Sequence, residues 1–106
     1  MNVTVLGGGS WGTTVASMTA PRHPTVLWTR EGEVAAEVTE QHTNERYLPG
    51  FTMPTQLQAT DDMERAARHA DVLIVAVPSA GFRTTVELSR QWVRPWIPVV
   101  SLTKGI

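Results

Sequence analysis

The sequence predicts an α/β fold, in which helices cover both faces of a doubly wound parallel sheet. Two observations lead to this prediction. Short apolar or β-branched segments alternate with helix-forming segments along the whole chain, which is typical of βαβ units. One of these segments, Val72–Val77, is apolar without interruption, as expected for a central parallel strand that is covered on both faces.

Strands and helices follow one another in a regular order. The predicted strands are Val3–Leu6, Thr25–Thr29, Gln58–Thr60, Val72–Val77 and Val99–Leu102. The predicted helices are Ser10–Ala20, Glu33–Gln41, a short helix that begins after Asp61, and Ala80–Val93. Proline and glycine mark Asn44–Pro54 as a loop.

Each boundary has a local cause. The segment Pro21–Pro24 ends the first helix, and Pro95 breaks the fourth one, because proline lacks the backbone N–H that a helix interior needs. In the second helix, apolar side chains fall on one face. Asp61 is expected to cap the third helix, with Glu64 three residues later completing a capping box.

The most informative segment begins with the first strand, which runs directly into Gly7, Gly9 and Gly12 in G-x-G-x-x-G spacing. Gly7 allows the tight turn, Gly9 lets the backbone approach a pyrophosphate, and Gly12 lets the helix pack close to the strand. The helix N-terminus then favours negative charge. Because the motif follows a strand and opens a helix, we predict a Rossmann-like dinucleotide-binding unit rather than a plain strand–helix turn.

Length and composition exclude several classes of protein. The 106 residues suit one α/β unit and are few for a complete dinucleotide-dependent enzyme. A net charge of −1 gives no electrostatic reason to expect nucleic acid or an anionic membrane as partner. The chain has no cysteine, no recognisable signal peptide and no apolar run of about 20 residues, so we expect a cytoplasmic protein.

Ligands of such sheets bind beyond the carboxyl ends of the strands. The residues that follow four of the strands are Gly7–Gly12, Arg30 with Glu31, Pro78 with Ser79, and Lys104. Lys104 is the only lysine, and a point charge on a flexible stem suits an anionic substrate group. The alternative for Lys104 is an ordinary solvated side chain.

The end of the second strand bears on the choice of cofactor. An acidic residue there accepts a hydrogen bond from the ribose 2′-OH of NAD, whereas an arginine accommodates the 2′-phosphate of NADP. Arg30 comes first and Glu31 follows. The sequence therefore favours NADP(H), with NAD(H) as a second cofactor. The alternative is that Arg30 and Glu31 are ordinary charged residues at the start of a helix.

Other side chains give weaker signals. His23, His42 and His69 lack metal-ligand spacing, so no metal site is expected. Tryptophans could stack on bases, but no basic patch accompanies them. We expect core and helix-packing positions for the four tryptophans, Trp11, Trp28, Trp92 and Trp96.

Five segments together resemble a known family. They are Val5–Thr13, Val26–Arg30, Asn44–Gly50 (Asn-Glu-Arg-Tyr-Leu-Pro-Gly), Ala70–Ser79 and Val99–Gly105. In this order and spacing the chain resembles the N-terminal dinucleotide-binding domain of NAD(P)-dependent glycerol-3-phosphate dehydrogenases. The Asn44–Gly50 segment and the terminal Thr-Lys-Gly are far more specific than the glycine motif.

The resemblance implies hydride transfer between a nicotinamide cofactor and C2 of glycerol 3-phosphate or dihydroxyacetone phosphate, which feeds glycerophospholipid synthesis. It implies that Ser10 and Trp11 contact the cofactor at the glycine loop, that Arg30 lies at the adenosine ribose, and that Lys104 reaches both nicotinamide and substrate. The family's acid–base lysine belongs to a later, helical domain, expected beyond Ile106. Residues 1–106 are thus expected to form an incomplete dinucleotide-binding domain, inactive alone, of an enzyme for which a homodimer is expected.

Two other functions stay open at this point. One is a non-catalytic nucleotide-binding module, which fits the short chain. The other is a different NAD(P)-dependent dehydrogenase that acts on hydroxyacids, although Asn44–Gly50 and Thr103–Gly105 argue against it.

Overall fold

A parallel sheet forms the centre of the computed structural model, which describes residues 1–102. The strands are β1 (Val3–Leu6), β2 (Thr25–Trp28), β3 (Thr43–Asn44), β4 (Leu48–Thr52), β5 (Gln58–Thr60), β6 (Val72–Val75) and β7 (Val99–Ser101). Five of them pair in the order β5-β2-β1-β6-β7, and every pairing in this sheet is parallel. The strand order is that of a Rossmann-type sheet, read outward from the central first strand. The predicted fold class is confirmed.

Helices cover both faces of this sheet. They are α1 (Ser10–Thr19), α2 (Gly32–Gln41), α3 (Met63–His69) and α4 (Ser79–Ser89). Apolar side chains of α1 and α2 share one buried cluster with Val3, Val5 and Leu27. Those of α3 and α4 pack with Leu6 and Val75 on the opposite face. The sheet is therefore doubly wound, as predicted.

Strand β1 lies at the centre because each of its residues is suited to burial. All four are buried, with Val3 and Val5 toward one helical layer and Leu6 toward the other. The polar exception, Thr4, donates its hydroxyl to the carbonyl oxygen of Ala66 at 2.7 Å. The buried hydroxyl therefore has a hydrogen-bond partner. Gly7 follows this strand and lies at the edge of the sheet where ligands bind.

The prediction of a loop over Asn44–Pro54 is wrong. Strands β3 and β4 form a separate antiparallel pair there. The Pro49–Gly50 pair favoured a loop, but proline is compatible with a strand whose outer edge is unpaired, and β3 is the only neighbour of β4 in its sheet. Gly50 has a positive φ of 77°, which glycine adopts without strain.

Three smaller expectations also need correction. The third helix is capped by Asp62, which accepts from the backbone N–H of Arg65 at 3.3 Å, so the cap predicted at Asp61 is wrong by one residue and Glu64 does not complete a capping box. The fourth helix ends at Ser89 instead of Val93. Trp11 and Trp96 are 67% and 77% exposed, so they are not core residues.

Candidate functional site

The carboxyl ends of β1, β2 and β6 surround a cavity of about 350 Å³, which we call the main cavity. It lies at the switch point between β1 and its two neighbours, where ligands of this architecture bind. Five of the residues that the sequence singled out line it: Gly7, Gly9, Arg30, Glu31 and Pro78. The rest of its wall is Gly8, Trp28, Thr29, Tyr47, Ala76, Val77, Ala80, Gly81 and Thr85.

A second cavity, also of about 350 Å³, adjoins the first across the end of β6. Ala76, Val77 and Pro78 line both cavities. Ser10 and Trp11 lie in the second one. The two cavities therefore form one groove that passes over the N-terminus of α1, with Arg30 and Glu31 at one end and Trp11 toward the other.

Glycine is required at different positions of this groove for different steric reasons. Gly7 has a φ of +122°, and a Cβ there would lie 2.7 Å from the carbonyl oxygen of Ala76. A Cβ on Gly12 would lie 1.7 Å from the carbonyl oxygen of Gly7, so α1 packs against the turn at a distance that only glycine permits. These contacts agree with a tight turn at Gly7 and close helix packing at Gly12.

Gly9 differs, because a Cβ built on it meets nothing within 4 Å. Any side chain at Gly9 would extend into open space beside the first turn of α1. Gly9 is the N-cap of α1 and provides no side-chain cap, so the first-turn amides have no intrahelical partner. This uncapped, open helix start fits a pyrophosphate, which binds to such N–H groups.

Gly8 is required by the neighbouring strand. A Cβ at this position would lie 2.6 Å from Cβ and 2.8 Å from Oγ1 of Thr29. Thr29 is buried, and its Oγ1 accepts the backbone N–H of Glu31 at 3.2 Å. The glycine loop and the end of β2 thus pack directly against each other.

Asn44 supports the glycine loop from the β3–β4 hairpin. It is fully buried, and its Nδ2 donates to the carbonyl oxygen of Gly8 at 3.0 Å and to Oγ1 of Thr13 at 2.9 Å. Its Oδ1 accepts the backbone N–H of Tyr47 at 3.3 Å. One side chain therefore satisfies groups on the loop, on α1 and on the hairpin.

Glu31, Arg46 and Tyr47 form a cluster at the end of the main cavity. Tyr47 donates its hydroxyl to Oε1 of Glu31, and this bond is the main reason why the pKa of Tyr47 is raised. Nη1 of Arg46 lies 3.0 Å from Oε2 of Glu31 and 3.9 Å from Oε1 of Glu33. The Arg46 guanidinium also lies over the Tyr47 ring, 5.4 Å from its centroid. Neighbouring positive and aromatic groups thus surround the carboxylate of Glu31.

Arg30 is exposed at the wall of the main cavity. Within residues 1–102 its guanidinium has no hydrogen bond or ion pair, whereas the neighbouring Glu31 accepts a hydrogen bond from Tyr47 and pairs with Arg46. Lys104 was predicted to reach the same groove, but it lies outside the described residues.

Sequence reasoning missed several residues of the site. Tyr47, Thr85 and Ala76 line the main cavity, and Asn44 supports it from behind. Asn44 and Tyr47 belong to the segment that carries the family resemblance, which was the available signal, but its loop-like composition concealed the hairpin.

A membrane-spanning helix and a cluster of metal ligands are both absent from residues 1–102. No helix in this part of the chain has both the length and the hydropathy needed to cross a membrane. Likewise, no three histidine, aspartate or glutamate side chains in the described part of the chain are grouped so that they could hold a metal ion.

Comparisons with known proteins agree with this geometry. Residues 2–106 match the family model described as NAD-dependent glycerol-3-phosphate dehydrogenase N-terminus. A protein of Sphingopyxis alaskensis named glycerol-3-phosphate dehydrogenase [NAD(P)+] 2 is 49% identical over 100% of this chain and 32% of its own length. One of Mycobacterium avium, named glycerol-3-phosphate dehydrogenase [NAD(P)+], is 53% identical over 98% of this chain and 31% of its own length.

Solved structures give the same result. A glycerol-3-phosphate dehydrogenase from Saccharomyces cerevisiae matches with a TM-score of 0.91 and 26% identity over 99% of this chain and 34% of that one. The enzyme from Coxiella burnetii matches with a TM-score of 0.86 and 26% identity over 99% of this chain and 33% of that one. The chain spans about a third of the length of these relatives. It belongs to the family of NAD-dependent glycerol-3-phosphate dehydrogenases, in which it corresponds to the N-terminal part.

Proposed function

We propose that this chain is the cofactor-binding part of an NAD(P)-dependent glycerol-3-phosphate dehydrogenase. Residues 1–106 would form the N-terminal part of the dinucleotide-binding domain, and a helical substrate domain would belong to the rest of the protein. The observation that carries the proposal is the groove over the N-terminus of α1, with the open position of Gly9 at its centre. When bound, the nicotinamide supplies or accepts the hydride at C2 of glycerol 3-phosphate or dihydroxyacetone phosphate.

The groove supports a division of roles along the cofactor. The backbone N–H groups at Ser10 and Trp11 would bind the pyrophosphate, because they start a helix that has no side-chain cap. Arg30 would face the adenosine ribose from the end of β2, and Glu31 would lie beside it in the cavity wall. Pro78 lies where the two cavities meet and would contact the cofactor from the end of β6.

Cofactor preference is the first part of the proposal that can be tested. Arg30 is exposed at the cavity wall and has no described partner, so it can pair with a 2′-phosphate. In the complete protein, Arg30→Ala should weaken NADPH binding by about 1.5–3 kcal/mol, the range for hydrogen bonds to charged groups. NADH binding should change far less. If a fluorescence titration shows equal losses of affinity for both cofactors, Arg30 does not bind the 2′-phosphate.

Substrate binding is assigned to Lys104. In the sequence it comes after β7, which pairs in parallel with β6, and ligands of such sheets bind beyond the carboxyl ends of the strands. An ammonium there would hold the substrate phosphate and orient the carbonyl, while the general acid would come from beyond Ile106. In the complete protein, Lys104→Ala should lower kcat/KM for dihydroxyacetone phosphate and keep cofactor affinity. A normal kcat/KM in Lys104→Ala would show that Lys104 does not bind the substrate.

The activity itself is tested by steady-state kinetics of the complete protein with dihydroxyacetone phosphate and NADPH or NADH. Oxidation of either cofactor that depends on this substrate supports the proposal. Tight cofactor binding without turnover would instead favour a nucleotide-binding module. For the complete enzyme we further propose a cytoplasmic location, with which the absence of cysteine is compatible, and a homodimer, which light scattering would test.

A further inference from the structure

We propose that Tyr47 and Arg46 are specificity-determining residues, which favour NADP(H) by withholding the carboxylate of Glu31 from the adenosine ribose. The inference rests on the proposed binding of a dinucleotide in the main cavity. In dinucleotide-binding folds an acidic residue after the second strand usually binds the ribose of NAD, and this rule alone would assign Glu31 to that role. The contacts of Tyr47 and Arg46 change this expectation.

Glu31 stands where an NAD-specific carboxylate is found. It follows β2, forms the N-cap of α2 and lines the main cavity. Its side chain is 26% exposed. On position alone, Glu31 would accept a hydrogen bond from a ribose 2′-OH.

Neither oxygen of Glu31 is freely accessible to a ligand. Oε1 accepts the hydroxyl of Tyr47. Oε2 is buried and makes no well-directed hydrogen bond within residues 1–102, while the Arg46 guanidinium lies 3.0 Å away as its counterion. A ribose hydroxyl would therefore compete with Tyr47 for Oε1 and would reach Oε2 only if the atoms that bury it moved.

The charges at this end of the cavity follow from the same contacts. Arg46 neutralises Glu31 and also lies 3.9 Å from Glu33. Arg30 is left without an acidic partner among the described residues and faces the cavity. A 2′-phosphate would therefore meet a free guanidinium and a neutralised carboxylate. Without Arg46, the charge of Glu31 would repel that phosphate.

The cluster is held in place before any ligand binds. The backbone N–H of Tyr47 donates to Oδ1 of the fully buried Asn44, and Arg46 lies over the Tyr47 ring. The hydrogen bond from the Tyr47 hydroxyl to Glu31 is the main cause of the raised pKa of Tyr47. Such preorganisation avoids an entropy cost at the moment of binding.

The test measures dissociation constants for NADPH and NADH with the complete protein and its variants. Tyr47→Phe frees Oε1 of Glu31 and should tighten NADH binding roughly three- to tenfold, the value of one hydrogen bond. Arg46→Met should weaken NADPH binding by a similar factor through the unbalanced carboxylate and, because it removes the counterion of Oε2, should not weaken NADH binding. Adding Glu31→Gln to either variant should remove its effect. Arg68→Met, an exposed arginine paired with Glu64 on α3, is the matched control.

The variant Glu31→Gln alone gives the sharpest outcome. If Glu31 does not bind the ribose, the Glu31→Gln variant keeps its NADH affinity. If the Glu31 carboxylate accepts a hydrogen bond from the ribose, the variant loses NADH affinity. Such a loss overturns the inference, as does an unchanged ratio of the two dissociation constants in both Tyr47→Phe and Arg46→Met. A wild-type protein that binds neither cofactor would instead refute the proposed function and with it this inference. Circular dichroism verifies that each variant is folded.

Discussion

The side-chain amide nitrogen of Asn44 lies 3.0 Å from the carbonyl oxygen of Gly8 and donates a hydrogen bond to it. The same nitrogen also donates to Oγ1 of Thr13. Because Asn44 is fully buried, water does not compete for these bonds. The hairpin of β3 and β4 is therefore joined to the glycine loop from behind, and the two parts of the candidate site are positioned by one residue.

This relationship predicts that Asn44→Ala destabilises the protein and weakens cofactor binding together. Loss of the amide leaves buried polar atoms of Gly8 and Thr13 with fewer partners and should cost about 1–3 kcal/mol of unfolding free energy. Urea unfolding measures that loss, and an NADPH titration measures the binding. Thr52→Ala, at an exposed position of β4, is the control. Unchanged stability in Asn44→Ala would mean that the amide contributes nothing net.

The contact between Gly8 and Thr29 predicts a coupled pair of mutations. Gly8→Ala should destabilise the protein by about 1–3 kcal/mol, typical of an overpacked site, because its Cβ would lie 2.6 Å from Cβ of Thr29. Thr29→Gly removes the obstructing atoms, so the double variant should be more stable than the sum of the single effects.

Thr29→Ala is the matched control for this cycle. It keeps the Cβ that causes the closest contact and should relieve Gly8→Ala less than Thr29→Gly does. Urea unfolding of the single and double variants gives the coupling. Strict additivity would show that the loop moves away from β2 without cost.

The parallel sheet and much of the site could be predicted because their signals are local. Strand β1 and the glycines after it are contiguous, and the rule that ligands bind beyond carboxyl ends brings Gly7, Arg30 and Pro78 together without knowledge of any contact. The structure places all three around the main cavity. Their assignment to a cofactor stays a prediction.

The hairpin could not be predicted in the same way. The hydrogen-bond partners of Asn44, Gly8 and Thr13, are distant from it in the sequence. Its burial therefore cannot be predicted from a local pattern. Pro49 and Gly50 gave a loop-like composition, although an edge strand tolerates both. The capping error has a similar cause, since Asp61 and Asp62 are equivalent in type and only the geometry selects Asp62.

The glycine loop predicts opposite outcomes for two substitutions. Gly9→Val should destabilise the fold much less than Gly12→Ala does, because the Cβ at Gly9 would meet no atom within 4 Å. It should weaken NADPH binding by more than about tenfold by occupying the place of the phosphates. Gly12→Ala should instead destabilise the fold, since its Cβ would lie 1.7 Å from the carbonyl oxygen of Gly7. A Gly9→Val protein that binds NADPH like the wild type would refute the pyrophosphate assignment.

The last prediction concerns pH and the carboxylate of Glu37, which ties α2 to the hairpin. Its Oε2 accepts Oγ1 of Thr43 at 2.7 Å and the backbone N–H of Glu45 at 2.9 Å. These bonds, that to Thr43 first, lower the pKa of Glu37 below its ordinary value of 4.5. A carboxylate with a lowered pKa in the folded state stabilises that state above its unfolded pKa, and the gain is lost as the pH falls through the folded pKa.

Wild-type protein should therefore lose stability as the pH drops below 4.5, and Glu37→Gln should lose less over the same range because its amide does not titrate. Thermal unfolding between neutral pH and pH values below the lowered pKa measures the two slopes. Glu40→Gln, an exposed position on α2, is the control and should follow the wild type. Because Glu37 is only partly buried, the difference should also shrink with added salt. Parallel pH profiles for wild type and Glu37→Gln would show that the hydrogen bonds of Glu37 do not favour its charged form.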